Sequence, residues 1–158
     1  MIVALVLWGV ANTGQPPSDA ELLQNFARHR STFDELARMA SADSGLLRVD
    51  DNWTLPQNPL SAGVSYERVS KYRAMLRSVG VPRGFQSREG GQQIDFLFWL
   101  MGSALSSDTT KGYSYLQKAP RGLLDNLDDC GPINEQRGVR AYRQIEGNWY
   151  LFYEYLPG

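Results

Sequence analysis

The first strong pattern in the chain is an apolar stripe at helical spacing that begins after residue 18. Ser18 and Glu21 match a capping box, in which each side chain bonds a backbone amide at the other end of the first turn. Apolar side chains then recur at steps that place them on one face of a helix, and they are Leu22, Phe26, Phe33, Leu36 and Ala40. The pattern predicts a helix from about Asp19 to Ala42.

A second stripe predicts a shorter helix from Tyr66 to Val79. Ser65 stands at its N-cap, Gly80 at the usual left-handed stop, and Pro82 follows. Between the two helices, residues 46–51 are a strand candidate. The next stretch, residues 52–63, contains two prolines and is typical of a loop.

After Gly80 the apolar period changes from that of a helix to two, which favours strands. The strand candidates are residues 84–89, 92–101, 112–117, 139–147 and 148–156. Gly90-Gly91 is expected to turn the first pair and Glu146-Gly147 the last, and such hairpins pair antiparallel. We therefore predict an α+β domain, with two N-terminal helices packed on one face of an antiparallel sheet of about four or five strands.

The last strand candidate is apolar on both of its faces. Alternation places Trp149, Leu151, Tyr153 and Tyr155 on one side, and Tyr150, Phe152, Glu154 and Leu156 on the other. A strand with one face in water normally alternates apolar with polar residues. We therefore expect an interior strand of the sheet.

Residues 1–11, MIVALVLWGVA, are uncharged and mostly apolar. The run is shorter than the roughly 20 residues that span a bilayer, but it fits the apolar region of a signal peptide, although the positive leader region is missing. We predict a signal-like or anchor segment and tether over residues 1–17 and a single domain over residues 18–158. This places the protein in the periplasm or cell envelope; a buried N-terminal strand would instead indicate the cytoplasm.

The composition of the chain argues against several classes of function. The formal net charge of −1 gives no general attraction to nucleic acid or to an anionic membrane, so contact with a membrane is expected only through the N-terminal segment. One cysteine, Cys130, excludes an internal disulfide. With one histidine, His29, it also excludes the common Cys/His zinc sites. No cofactor and no metal site is predicted.

Catalytic candidates are few. His29 is the one obvious general base near neutral pH, but it lies in the apolar stripe of a helix, where a histidine bonded within the core is the commoner case. Asp95 and Glu154 are possible paired carboxylates in predicted strands, and nothing in the sequence brings them together. The stretch 102–113 is rich in Gly, Ser and Thr but departs from the P-loop pattern, so a hairpin connection is expected.

Aromatic residues with neighbouring arginines near the predicted strands suggest a binding surface. Such side chains can stack on bases or sugar rings, and the absence of RNA-recognition motifs argues against nucleic acid. The candidate surface comprises Lys111 at its rim with Tyr113, Tyr115, Arg140, Tyr142 and Arg143.

Two stretches, KGYSYLQKAP (111–120) and YRQIEGNWYLFYEY (142–155), resemble motifs of a group of small uncharacterised proteobacterial envelope proteins with lipoprotein-type leaders. Their shared patterns are KGY-x-Y and Y-x-x-I-E-x-N-W-Y-L-x-Y, and residues 18–39 are similar to the helix after their signal peptide. The resemblance implies an exported domain and no particular activity. The chain departs from the leader pattern at Val10, where a lipoprotein has an acylated cysteine.

The pattern as a whole favours a non-enzymatic domain that binds an envelope protein or another envelope component. One alternative is a hydrolase of envelope material that uses His29, or Asp95 with Glu154. The other is a small immunity-type or inhibitor protein that blocks the active site of a partner.

Overall fold

The computed structural model describes residues 14–102, 108–130 and 138–158. The apolar segment 1–11 lies outside the described residues, and so do positions 103–107 of the Gly/Ser/Thr-rich stretch. The division of the N-terminal segment from the domain at residue 17 stays a prediction.

The first helix, α1, spans Asp19–Ala42 and confirms the sequence-based bounds. The capping box is formed: the Ser18 hydroxyl accepts from the Glu21 amide, and the Glu21 carboxylate accepts from the Ser18 amide at 2.7 Å. Its apolar face is buried, because Leu22, Phe33 and Leu36 expose none of their surface. The backbone leaves helical geometry once, at His29, where φ is −119° and ψ is 19°.

The second helix, α2, spans Tyr66–Ser78. Ser65 caps it by accepting from the Arg68 amide. The last turn of α1 is tied to α2 through Asp43, which accepts from the Tyr72 hydroxyl at 2.6 Å and from the Arg68 guanidinium at 2.8 Å. A short 3₁₀ helix, Pro59–Ala62, precedes α2.

Within the described residues, seven strands form one antiparallel sheet in the order β2-β1-β3-β4-β5-β7-β6. The strands are β1 (Arg48–Val49), β2 (Thr54–Leu55), β3 (Phe85–Arg88), β4 (Gln93–Met101), β5 (Asp108–Leu116), β6 (Val139–Glu146) and β7 (Trp149–Leu156). The α+β class is confirmed, and the prediction of four or five strands is wrong. β1 lies within the strand candidate at residues 46–51, whereas β2 lies in the stretch 52–63 predicted as a loop, where its two residues are too few to show alternation.

Hairpins join the predicted pairs. A 3₁₀ turn, Glu89–Gly91, connects β3 to β4. The turn between β6 and β7 is Gly147-Asn148, one residue later than predicted, with Gly147 at a φ of 50°. A left-handed φ of this kind favours glycine because it has no Cβ to clash with its own backbone.

Both helices pack against the same face of the sheet. Phe85 pairs with Phe96, and Phe96 pairs with Tyr113, so the three side chains form a row across β3, β4 and β5. The ring of Phe33 in α1 lies 4.7 Å from that of Tyr113, and the ring of Tyr72 in α2 lies 5.0 Å from that of Phe85. This face holds the core of the domain.

The last strand alternates as the sequence predicts. Its helix-facing residues belong to the core cluster and are Trp149, Leu151, Tyr153 and Tyr155. The Trp149 indole also donates to the Asp34 carboxylate at 2.9 Å, which fastens β7 to α1. Tyr150 and Phe152 point to the opposite face and are buried as well. β7 is therefore an interior strand buried on both sides.

A register shift in β4 positions the candidate site. The pairing of β4 with β5 shifts between Leu97 and Trp99, so that Leu97 pairs with Gly112 and Trp99 pairs with Lys111. An irregularity of this kind re-aims the side chains that follow it. In the described part of the chain, no helix has the length and apolarity needed to cross a membrane.

Candidate functional site

The six residues predicted to form one surface lie on two opposite faces of the sheet. Arg143 pairs with Leu151 and thus faces the helices, as do Lys111, Tyr113 and Tyr115. Arg140 and Tyr142 point to the face without helices. Lys111 and Tyr113 are 1% and 0% exposed, so neither lies at a surface rim. One continuous surface of these six is therefore not present, and a binding role for each stays a prediction.

Tyr113 anchors α1 to the sheet. Its hydroxyl donates to the Leu22 carbonyl at 2.9 Å and accepts from the Asn25 amide at 3.0 Å. Burial raises the pKa of Tyr113 well above its usual value. Tyr115 is half-buried beside it, and its ring packs 5.2 Å from that of Trp149. Both tyrosines have structural contacts that account for them.

Lys111 lies at the centre of a buried ion cluster. Its Nζ is 2.8 Å from Oδ1 of Asp19 and 2.8 Å from Oδ1 of Asp128. Oδ2 of Asp19 also accepts from Arg143 Nη1 at 2.8 Å and from the Leu127 amide at 2.9 Å. Two cations and two carboxylates therefore neutralise one another.

Asp19 holds its charge in this cluster. Burial alone would raise the pKa of its carboxyl, but the hydrogen bonds from Lys111, Arg143 and the Leu127 amide outweigh burial and hold the pKa below its usual value. Asp19 is the first residue of α1, where a negative charge also interacts favourably with the helix dipole.

A cleft of about 710 Å³ opens above Lys111. Because of the pairing registers, Trp99 on β4 and Tyr153 on β7 flank Lys111 on β5, one strand to either side. Met101 extends the apolar wall, while Glu21 and Asp128 supply carboxylates. The Trp99 indole Nε1 is shielded from solvent and has no hydrogen-bond partner among the described residues.

A second charge cluster lies on the face without helices. Arg140 Nη2 is 2.8 Å from Oδ1 of Asp95, and Arg140 Nη1 is 2.6 Å from Oε2 of Glu154. Its Nε donates to the Tyr142 hydroxyl at 2.6 Å, and its guanidinium lies 4.7 Å from the ring centroid of Phe152. Asp95 is completely buried. Burial alone would lower the pKa of Arg140, but the two carboxylates outweigh it and raise that pKa.

The structure thus brings together Asp95 and Glu154, which the sequence does not. It does so through Arg140, whose guanidinium bridges the two carboxylates, and Arg88 lies 3.8 Å from Asp95 and 3.7 Å from Glu154 as a second cation. Arg140 pairs with Glu154 in the β6–β7 hairpin. In the sequence, this pairing could have been predicted only from the position of the turn between β6 and β7. Moving that turn by one residue, from Glu146-Gly147 to Gly147-Asn148, changes every cross-strand partner.

Among the residues that the structure describes, neither His29 nor Cys130 forms a nucleophile–base pair. His29 is half-buried, and no described residue forms a hydrogen bond or ion pair with its imidazole. Cys130 is half-buried at the edge of the cleft, where burial raises the pKa of its thiol, so that the thiol is protonated near neutral pH. Over the described ranges, no three His, Cys, Asp or Glu side chains are grouped to hold a metal ion.

A smaller groove of about 320 Å³ lies at the β2 edge of the sheet. Trp53 is 48% exposed there, and the Arg48 guanidinium lies 5.5 Å from its ring centroid. Trp53 lies in the stretch predicted as a loop, where an aromatic residue among polar neighbours could have indicated an exposed ring. As an exposed tryptophan outside the cleft, Trp53 is a suitable control position for substitutions at Trp99.

Comparison with known proteins adds no further assignment: no protein family, no curated protein and no solved structure matches the chain.

Proposed function

We propose that this chain is a non-enzymatic binding domain of the bacterial cell envelope, and that the cleft above Lys111 holds the envelope component that it binds. The observation that carries the proposal is the self-neutralised ion cluster of Lys111, Asp19, Asp128 and Arg143 beneath a cleft with aromatic walls. Concave sites with apolar walls and a few fixed polar groups are typical ligand sites.

The charge pairing supports binding over catalysis. A general base or acid needs a side chain that can exchange a proton with the substrate. Lys111 is occupied by two carboxylates, and Arg140 occupies Asp95 and Glu154. His29 does not line the cleft. The hydrolase alternative therefore has less structural support than a binding role.

The envelope location rests on the sequence. Residues 1–11 have the length and apolarity of a signal-peptide core, and the motifs around Lys111 and Trp149 resemble those of small proteobacterial envelope proteins. Mass spectrometry of the native protein from fractionated cells tests this part. An intact N-terminus in the cytosolic fraction would overturn it.

Binding is tested by co-sedimentation of the full chain with two probes, purified peptidoglycan sacculi and outer-membrane vesicles. We expect the wild-type chain to sediment with at least one probe. Trp99→Ala removes an aromatic wall of the cleft and is expected to reduce the bound fraction about tenfold. Trp53→Ala, which removes an aromatic from the smaller groove, is the matched control and is expected to bind like the wild type.

Two results would overturn the proposed function. The first is sedimentation with neither probe, or equal binding by Trp99→Ala and the wild type. The second is a chemical change in the probe, such as release of soluble fragments from sacculi, which would indicate an enzyme.

A further inference from the structure

The charges around the cleft limit what it can hold. Lys111 and Arg143 are balanced by Asp19 and Asp128 at distances of 2.8 Å. Glu21, at the cleft wall, is held by the Ser18 amide and hydroxyl at 2.7 and 2.8 Å. An anionic ligand would meet the negative charge of Glu21, and the cations of the cluster already have their carboxylates. The charge balance therefore argues against an anionic ligand.

Unused hydrogen-bonding groups remain in the cleft. The Trp99 Nε1–H is a donor shielded from solvent and without a partner among the described residues. Lys111 carries three N–H donors, of which one bonds Oδ1 of Asp128, while its Nζ also lies 2.8 Å from Oδ1 of Asp19 as an ion pair. Asp128 presents an acceptor, because its side chain is 40% exposed and Oδ1 accepts from Lys111 and from the Asp19 amide. A ligand that fits must both donate and accept, as a hydroxyl group does.

The apolar walls point to the rest of the ligand. Trp99 and Tyr153 lie on strands to either side of Lys111, and neighbouring strands are about 4.8 Å apart. Two rings are thus held on either side of a cation-bearing floor, with Met101 beyond. An aromatic face stabilises the apolar C–H groups of a ring laid on it. The cleft volume of about 710 Å³ lies within the ordinary range for ligand sites.

From this combination we infer that the cleft binds a neutral saccharide, with the sugar ring against Trp99 and its hydroxyls bonded to the Trp99 indole, Lys111 and Asp128. A sugar ring presents C–H faces and a hydroxyl-rich edge, which match the aromatic walls and the unused polar groups. The inference names the ligand class of the cleft and so rests on its proposed function as a binding site.

The test is calorimetric titration of the full chain with cellobiose, N,N′,N″-triacetylchitotriose and maltotriose. Glucuronate and a neutral tripeptide are the comparison ligands. We expect at least one of the neutral oligosaccharides to bind, and glucuronate and the tripeptide to bind at least about tenfold more weakly. The oligosaccharide that binds is then expected to release the full chain from sedimented envelope material.

One substitution of Trp99, with a matched control at Trp53, tests the contribution of the Nε1–H donor separately from that of the aromatic face. Trp99→Phe keeps an aromatic face and loses the Nε1–H donor, and it is expected to weaken saccharide binding about tenfold. Trp53→Phe is the matched control and is expected to leave binding unchanged. Thermal unfolding of both variants checks that they fold, and Tyr153→Phe provides a second measurement on the cleft if Trp99→Phe does not fold.

The outcomes distinguish the ligand class from the proposed function. If no neutral oligosaccharide binds while Trp99-dependent sedimentation persists, the saccharide inference is overturned and the binding function stands. Preferential binding of the tripeptide likewise overturns the saccharide inference alone. If neither oligosaccharides nor envelope material bind, both are overturned.

Discussion

The backbone of Gly112 on β5 passes so close to Phe96 on β4 that a Cβ at position 112 would lie 2.0 Å from the Phe96 carbonyl oxygen. Such a Cβ would also lie 3.0 Å from the backbone nitrogen of Phe98. The approach occurs at the register shift of β4, which sets Trp99 opposite Lys111. The cleft geometry therefore depends on a position where only glycine fits.

Gly112→Ala is expected to destabilise the domain by about 3 kcal/mol or more, because the atoms that its Cβ would meet belong to the backbone of a central strand and cannot move aside cheaply. Chemical denaturation measures the free energy of unfolding. Gly147→Ala is the matched control: its φ is 50°, but no described atom outside its own neighbourhood lies within 4 Å of a Cβ there, so a cost of about 1 kcal/mol is expected. Equal costs at the two positions would contradict the steric explanation.

Asp19→Asn is expected to reduce stability by about 3 kcal/mol at pH 6, because it leaves Lys111 and Arg143 without their shared carboxylate. The pKa of Asp19 is lower in the folded than in the unfolded chain. Its stabilisation is therefore complete above the unfolded value, about 3.9, and is lost as pH falls through the lower folded value. Urea unfolding at a series of pH values should show the difference between variant and wild type shrinking below about pH 4.

The matched control for this titration is Asp125→Asn, at an exposed position. A change within about 0.5 kcal/mol is expected for it. A difference between Asp19→Asn and the wild type that stays constant from pH 6 to strongly acidic conditions would show that the charge of Asp19 does not contribute.

Arg140→Met is expected to destabilise the fold by about 3 kcal/mol, because it removes the cation 2.8 Å from the completely buried Asp95 and leaves only Arg88, at 3.8 Å. Adding Asp95→Asn to this variant should restore part of the loss, since the weakly compensated buried charge is then gone. A double-mutant cycle by chemical denaturation measures the coupling. Additive losses from the two substitutions would mean that the ion pair is energetically unimportant.

Alkaline pH is expected to unfold the domain through its buried tyrosines. Burial raises the pKa of Tyr113 above that of the unfolded chain. The stabilisation is thus complete below the unfolded value, about 10, and is lost as pH rises above it. Phenolate absorbance measures the ionisation of tyrosine, and circular dichroism measures the loss of secondary structure. We expect the buried tyrosines to ionise in a step that coincides with the loss of secondary structure.

Tyr113→Phe is expected to remove one tyrosine from that step, and Tyr66→Phe, at a position 60% exposed, to leave the step unchanged. Reversible ionisation of every tyrosine before any loss of secondary structure would contradict the prediction.

The helices could be predicted closely because their signals are local. The capping box at Ser18 and the apolar stripe that follows lie within a few turns of one another, and α1 begins and ends where they indicate. The edge strand β2 could not be predicted in the same way. β2 has two residues in a proline-containing stretch, and its pairing with β1 is visible only in the assembled sheet.

The candidate site could be predicted only in part, because it depends on register. The sequence points to both Lys111 and Arg140, yet one faces the helices and the other the opposite side. The partners of Lys111 come from distant parts of the chain, with Asp19 and Asp128 separated by 109 residues. No spacing in the sequence connects them.

The KGY-x-Y stretch now has a physical explanation in this chain. Lys111 holds the ion cluster, Gly112 clears the carbonyl of Phe96, and Tyr113 bonds the backbone of α1. These three residues of the stretch thus build the fold and the floor of the cleft.

The contact between Asp19 and Arg143 joins positions 124 residues apart, and this separation has a consequence for biosynthesis. The first helix leaves the ribosome long before the final hairpin is made, so the floor of the cleft cannot close until β6 and β7 have docked. Pairings between distant parts of a chain form late and slowly. A fragment that stops before β6 would therefore display α1 without the Asp19–Arg143 contact and without a complete cleft floor.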